Sequence, residues 1–244
     1  MLSESDLILP SWPAPANVRA IQTTRKGGVS VAPYDSLNLG EHTGDNLMQV
    51  AANRQLLNRH VPTEPVWLKQ VHGTTVVDAT LASCAPVGDA AIARQRQAVC
   101  VVMTADCLPV LLCDRAGTVV AVAHAGWRGL LDGVIESTVA AMQVAPEQVL
   151  VWLGPAIGPQ AFEVGAEVRE AFMAKDIMAV QAFVARPNDK WLADIYLLAR
   201  QRLAGLGITQ IYGGEYCTYN DTDRFFSYRR DGVTGRMASM IWLT

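Results

Sequence analysis

Histidine is scarce in this chain: 244 residues hold only four, so any histidine-based site must be chosen from His42, His60, His72 and His124. The five cysteines, Cys84, Cys100, Cys107, Cys113 and Cys217, fall at irregular spacing with no CxxC pair. That spacing excludes a zinc ribbon or a thioredoxin-type redox centre, and the odd number argues against a disulfide framework. There is no basic excess either. A formal net charge of -3 exerts no general attraction on the phosphates of nucleic acid or on anionic lipid. Long apolar runs are missing: Val99 to Met103 and Val119 to Ala123 fall far short of the roughly 18 to 20 residues that span a bilayer. Met1 to Val18 carries Glu4 and Asp6 where a secretory signal would carry lysines, and three prolines interrupt it. These absences favour a cytoplasmic protein with neither nucleic acid nor membrane as partner, and they leave the oligomeric state open.

Half of the residues are hydrophobic, enough for a substantial core. No internal repeat, low-complexity tract or charged tail marks a linker, so residues 1-244 are expected to form a single domain. A first strand is expected over Asn17 to Thr24, then a turn at Arg25-Lys26-Gly27-Gly28. Asn46 is placed to cap a helix running to about His60, with Val50, Leu56 and Leu57 facing the core. Valine-rich runs at Val66 to Val71, Thr75 to Asp78 and Ala98 to Thr104 suit strands. Pro109 to Cys113 and Thr118 to Ala123 are two more, joined by a hairpin turn at Asp114-Arg115-Ala116-Gly117. Their uniform apolarity implies a central sheet buried on both faces. Helical spacing of Leu131, Val134, Ile135, Val139 and Met142 predicts one helix over 128 to 142. Beyond it come a strand at Val149 to Leu153, a glycine-proline loop at Gly154 to Pro159, helices near Ala166 to Met173 and Trp191 to Leu206, and a terminal strand at Met237 to Leu243. The fold class is therefore α/β (α+β): a layered domain with a central mixed sheet covered by helices.

Two histidines stand out by context. His72 sits where a β-rich run breaks at Gly73, and His124 where a buried strand gives way to Ala125-Gly126 and a helix. Cys107 lies between two apolar strands, next to Asp106, a charge that needs a partner in a sheet interior. All three candidates fall at strand ends, from which ligands can converge. Two imidazoles and a thiolate suit zinc, and three protein ligands leave a fourth position for a water whose pKa the ion lowers to roughly 7. Residue types alone do not decide the matter: each histidine serves equally as a hydrogen-bonded structural residue, and Cys107 as a small core side chain. A basic group accompanies them, with Arg128 at the helix start and Arg229 with Arg230 in Ser227-Tyr228-Arg229-Arg230-Asp231. These arginines are candidates for binding phosphate or carboxylate, or for pairing with surface acids.

At these residues the sequence closely resembles the bacterial laccase-domain family, also known as purine nucleoside phosphorylase-like proteins, polyphenol oxidases and peptidoglycan editing factors. The resemblance rests on Gly27-Gly28-Val29-Ser30, Tyr34-Asp35-Ser36-Leu37-Asn38-Leu39-Gly40, Gly44-Asp45-Asn46, Gln70-Val71-His72-Gly73, Thr104-Ala105-Asp106-Cys107-Leu108-Pro109, His124-Ala125-Gly126-Trp127-Arg128-Gly129 and Gly154-Pro155-Ala156-Ile157-Gly158-Pro159, and it covers nearly the whole chain. It implies a layered fold shared with certain cysteine hydrolases and zinc held by His72, Cys107 and His124. The activities it implies are phosphorolysis of adenosine, inosine, guanosine or methylthioadenosine, and deamination of adenosine. An alternative is hydrolysis of an amide, removing a wrongly added amino acid from a nucleotide-linked cell-wall precursor. Asp106, Cys107 and His124 are the catalytic candidates, Asp106 for proton transfer, and Arg128, Arg229 and Arg230 are those for a phosphate co-substrate. The laccase label fails a residue count, since four histidines cannot populate a blue-copper site and a trinuclear cluster together. A single copper ion at His72, Cys107 and His124 could still support some oxidation. Two further readings keep the fold and change the role: a metal-free cysteine hydrolase with Cys107 as nucleophile, and a binding module that senses a nucleotide.

Overall fold

The computed structural model describes residues 2–81 and 85–244. Cys84 lies outside them, and Cys100, Cys107, Cys113 and Cys217 are free thiols.

Alternation along the strands builds the architecture. In the strand Leu108–Asp114, residues Leu108, Val110 and Leu112 enter one apolar cluster, whereas Leu111 and Cys113 enter another. The strand Val149–Leu153 divides in the same way, Val149, Val151 and Leu153 on one side and Leu150 and Trp152 on the other. Because side chains alternate with a period of two, a strand apolar at every position is buried on both faces. These strands belong to a six-stranded mixed sheet in the order Ile211–Gly213, Val149–Leu153, Leu108–Asp114, Val120–Ala125, Ala90–Ala93, Val76–Asp78. The two outermost pairs are parallel and the inner ones antiparallel.

The expected single central sheet is accompanied by a second one. Cys100–Thr104, Met237–Leu243, Val18–Thr23 and Leu7–Ile8 form an antiparallel four-stranded sheet. Cys100, Val102, Ile241 and Leu243 pack against Leu111, Val120, Val122 and Trp152 of the larger sheet. The outer face of the small sheet, Val101, Met103, Met240 and Trp242, meets Leu57 of the helix Leu47–Leu57. On the outer face of the large sheet lie the helices Val134–Met142, Ala166–Lys175 and Ile195–Gly205. The result is four layers: helix, sheet, sheet, helices. A three-stranded antiparallel sheet, Phe183–Arg186, Lys190–Ala193 and Glu163–Gly165, pairs with neither but shares the large sheet's apolar cluster through Val164, Phe183 and Ala193. No helix among the described residues is long and apolar enough to cross a membrane.

Several elements differ from expectation for local reasons. The run Val66 to Val71 makes only isolated bridges, at Val66 to Cys100 and Lys69 to Val87, because its remaining polar groups serve loop contacts. The helix expected over 128 to 142 is two, Trp127–Asp132 and Val134–Met142, broken at Gly133 with φ 101°. That left-handed conformation is one glycine adopts without cost. Trp191 to Leu206 divides likewise: Lys190–Ala193 is a strand, and Asp194 caps the helix Ile195–Gly205 by accepting from the Leu197 N–H. Asn46 caps the helix Leu47–Leu57 as expected, accepting from the Met48 N–H.

Candidate metal centre and its cavity

Ladder register brings the site together. Ala123 pairs with Ala90, so one residue further along His124 stands opposite Asp89, and the His124 N–H donates to the Asp89 carbonyl at 2.7 Å. Ala125 pairs with Leu108, so the next step sets Gly126 beside Cys107. His72 arrives from the loop before the strand Val76–Asp78, in a left-handed conformation with φ 61°.

Asp89, fully buried, holds two of the three side chains in place. Its carboxylate accepts three successive backbone N–H groups, from Val71 at 3.0 Å, His72 at 2.9 Å and Gly73 at 2.8 Å. Oδ1 also meets His124 Nδ1 at 2.8 Å. Such a bond assigns the proton to Nδ1 and leaves Nε2 free to face the cluster. A second clamp fixes the His72 loop: the Gln70 side chain donates to the Met103 carbonyl at 2.9 Å and accepts from the Met103 N–H at 2.8 Å.

The ligand-capable atoms of His72, Cys107 and His124 all lie within 4.8 Å of one another, with Cys107 Sγ 3.9 Å from His72 Nε2. The imidazole rings meet edge to face, their centroids 4.8 Å apart. Gly126 makes this approach feasible, since a Cβ there would stand 2.8 Å from His72 Cδ2 and 3.1 Å from Cys107 Sγ. Burial opposes ionisation of the Cys107 thiol, but His124 beside it and then His72 bring its pKa down to about 6. Burial likewise opposes charge on His124, while the thiolate and Asp89 raise it to about 9. The trio thus favours a thiolate facing an imidazolium, the electrostatics of a place where a cation can replace a proton. Two nitrogens and one sulfur in reach of a common point fit zinc or another borderline-soft ion.

A cavity of about 530 Å³ opens on this cluster. Besides the trio, its walls include Leu68, Met103, Thr104, Tyr228 and Arg236. A second cavity of about 560 Å³ adjoins it and shares His42, Leu68, Lys69 and Met103.

The other residues singled out from the sequence lie close by but do not line this cavity. Asp106, at φ 95°, accepts from Thr218 Oγ1 at 2.7 Å and from the Arg229 N–H at 2.6 Å. Both carboxylate oxygens therefore fasten the turn that carries Cys107. Arg128 is exposed and its guanidinium lies 4.3 Å from the Trp127 ring centroid. Arg229 donates to the Glu163 carbonyl at 2.7 Å, and Arg230 spends its guanidinium on the carbonyls of Thr218, Tyr219 and Phe225 and on Asp231. Conversely, sequence reasoning passed over Asp89 and Arg236, and it named His42 only among the four histidines and Gln70 only within Gln70-Val71-His72-Gly73, without a role for either. Asp89 left one signal, a lone acid against the apolar run Ala90-Ala91-Ile92; Arg236 left none.

Comparison with known proteins follows this geometry. Residues 19–244 match the family model described as multi-copper polyphenol oxidoreductase laccase. The chain is 59% identical over 242 residues to a protein of Escherichia coli (strain K12) named purine nucleoside phosphorylase YfiH, covering 98% of this chain and 99% of that one. It is 52% identical over 239 residues to a Haemophilus influenzae protein named purine nucleoside phosphorylase, covering 96% and 98%. Among solved structures, Neisseria meningitidis protein NMB0706 superposes with a TM-score of 0.95 at 51% identity, over 98% of this chain and 99% of that one. YlmD from Geobacillus stearothermophilus gives 0.89 at 28% identity, over 100% and 98%.

Proposed function

The chain belongs to the multi-copper polyphenol oxidoreductase laccase family, and from that premise we propose that it is a zinc-dependent enzyme cleaving purine nucleosides with phosphate, and deaminating adenosine at the same site. The observation that carries this reading is the convergence of His72, Cys107 and His124 on the wall of a cavity of about 530 Å³, in a chain whose relatives are named purine nucleoside phosphorylase. One such cluster, not a multi-copper set, is present among the described residues.

In phosphorolysis a phosphate oxygen bonds to C1′ of the ribose as the C1′–N9 bond breaks. The bonding electrons leave with the purine, which takes up a proton. His72, Cys107 and His124 would hold the zinc, which would supply Lewis acidity to this site. The chain's own residues supply order. Asp89 fixes the ring of His124 and the loop of His72, Asp106 fixes the turn of Cys107, and Leu68, Met103 and Tyr228 give a purine an apolar and aromatic surface. Holding both reactants in one geometry lowers the entropic part of the barrier.

The test is product analysis on metal-assayed protein. Inosine plus phosphate should yield hypoxanthine and ribose 1-phosphate in equal amounts, with about one zinc per chain. Base release that ignores phosphate, or none from zinc-loaded protein on inosine and adenosine alike, would remove the proposal.

A second reading has its own support, because Cys107, His124 and Asp89 are arranged as nucleophile, base and orienting carboxylate. Under it, intact-mass analysis during turnover finds a covalent adduct on Cys107, and Cys107→Ala protein keeps any metal but loses activity. Under the zinc reading, Cys107→Ala loses metal and activity together.

A further inference from the structure

The cavity beside the metal cluster carries positive charge that the cluster does not account for. His42, Lys69 and Arg236 come from three separate segments and all line it. Arg236 is fixed by its backbone: its N–H donates to Asn38 Oδ1 at 2.9 Å, and its carbonyl accepts from the Leu39 N–H at 3.2 Å. Its side chain then passes so close to Gly40 that a Cβ there would stand 2.9 Å from Arg236 Cγ. The same loop runs on into the short helical turn Glu41–Thr43 that carries His42. Asn38-Leu39-Gly40 thereby sets a guanidinium and an imidazole on one wall.

The two cations, Arg236 and Lys69, have few partners. Arg236 Nη1 donates to the carbonyls of Thr234 and Gly235, both at 3.0 Å, which fixes one edge of the guanidinium. Among the described residues, its Nε and Nη2 make no hydrogen bond, and neither Arg236 nor Lys69 forms an ion pair. The acids nearby are committed elsewhere, Glu41 to Arg54 at 2.9 Å and Asp106 to Thr218 and Arg229. Burial works against the charge of Arg236, and Cys107, Asp106 and then Tyr228 act in its favour. His42 feels the crowding, as partial desolvation at the cavity wall and then Arg236 and Arg54 push its pKa down. Thr104, 2% exposed, also lines the cavity, and its buried hydroxyl has no hydrogen-bond partner.

We propose that Arg236, His42 and Lys69 form a phosphate subsite of this cavity. The proposal rests on the phosphorolytic reading above and deepens it by locating the co-substrate. A guanidinium whose second edge is free presents two N–H groups at the spacing of two phosphate oxygens. The Lys69 ammonium and the His42 imidazole line the same cavity and are donors for the remaining oxygens. Arg128, Arg229 and Arg230 line no part of this space and take no part in the subsite.

Binding of inorganic phosphate to the zinc-loaded full chain, titrated calorimetrically at constant ionic strength in chloride, tests this without requiring turnover. Wild type should bind phosphate saturably. Arg236→Met should weaken it roughly tenfold or more, the scale of lost charge-assisted hydrogen bonds. His42→Ala and Lys69→Ala, at exposed positions where the fold is insensitive, should weaken it several-fold, and Arg128→Ala should not. In phosphorolysis the same variants should raise KM for phosphate and leave KM for the nucleoside nearly unchanged. Adenosine 5′-monophosphate separates the two sources of the anion. If it displaces phosphate and is weakened by the same substitutions while free phosphate binds poorly, the subsite stands and serves a substrate-borne phosphoryl group. Phosphate held by protein that forms no ribose 1-phosphate keeps the subsite and removes phosphorolysis. Absence of saturable phosphate or nucleotide binding, or binding undiminished in all three variants, overturns the subsite.

Discussion

At the scale of single residues, the site depends on two positions that are not ligands. Gly126 has φ -64°, which any residue adopts, so its role is to leave room for the approach of His72 and Cys107. Gly126→Ala puts a methyl group 2.8 Å from His72 Cδ2, and the exposed imidazole gives way more easily than the buried backbone. The variant should fold normally, with an unchanged far-ultraviolet spectrum, and hold less zinc with proportionally lower turnover; full occupancy would show that the cluster tolerates the methyl. Asp89→Asn keeps the shape of the carboxylate but turns an amide toward three N–H donors and His124. Losing a partner that orients a metal-binding histidine typically costs ~10- to 100-fold in affinity. Competitive zinc titration should show a loss of that order, and wild-type affinity would assign Asp89 to loop structure alone.

At the scale of elements, the hairpin turn expected at Asp114-Arg115-Ala116-Gly117 joins the strands Leu108–Asp114 and Val120–Ala125. Burial works against the charge of Asp114, but the Thr118 hydroxyl and the N–H groups of Thr118 and Val119, at 2.6, 2.7 and 3.0 Å, hold its carboxyl below the ordinary range. A carboxyl whose pKa is lower in the folded state contributes stability above about pH 4, and loses it as the pH falls through the lowered value. Asp114→Ala should therefore cost about 2 kcal/mol near neutral pH. In urea melts the gap between the two proteins should narrow as the solution is acidified below about pH 4; a gap independent of pH would mean that packing, not the carboxylate, is responsible. This turn was legible because aspartate and glycine at a chain reversal are local signals. The strand Ala90–Ala93 was not, since alanine is depleted in strands in general, and only its place between two strands of the buried sheet makes small side chains suitable. Gly133 and Asp194 were legible in retrospect as a helix break and a cap. Helical periodicity on either side of each had masked them.

At the scale of the whole molecule, the three proposed ligands mark the place where the two sheets exchange chain. Cys107 lies in the connection from Cys100–Thr104 of the small sheet to Leu108–Asp114 of the large one. His124 belongs to the large sheet's interior and His72 to the loop at its edge. That His72, Cys107 and His124 come together was legible through strand ends and family resemblance, whereas Asp89 and Arg236 were not, because each meets its partners only through sheet register or a loop nearly 200 residues away. An ion bound at this crossing joins segments that separate on unfolding, so it stabilises the native state alone. The linked stabilisation is about 2.7 kcal/mol when free zinc is a hundredfold above Kd. For a chain of this size, that corresponds to a Tm higher by about 5 to 10 °C. Removing zinc with a chelator should lower Tm by that amount, and restoring zinc should reverse it. Cys107→Ala, which lacks the thiolate, should melt at one temperature with or without chelator. A wild-type Tm indifferent to chelator, in protein shown by elemental analysis to have lost its zinc, would mean that the three side chains keep their places unaided and that the ion contributes nothing to the joining of the sheets.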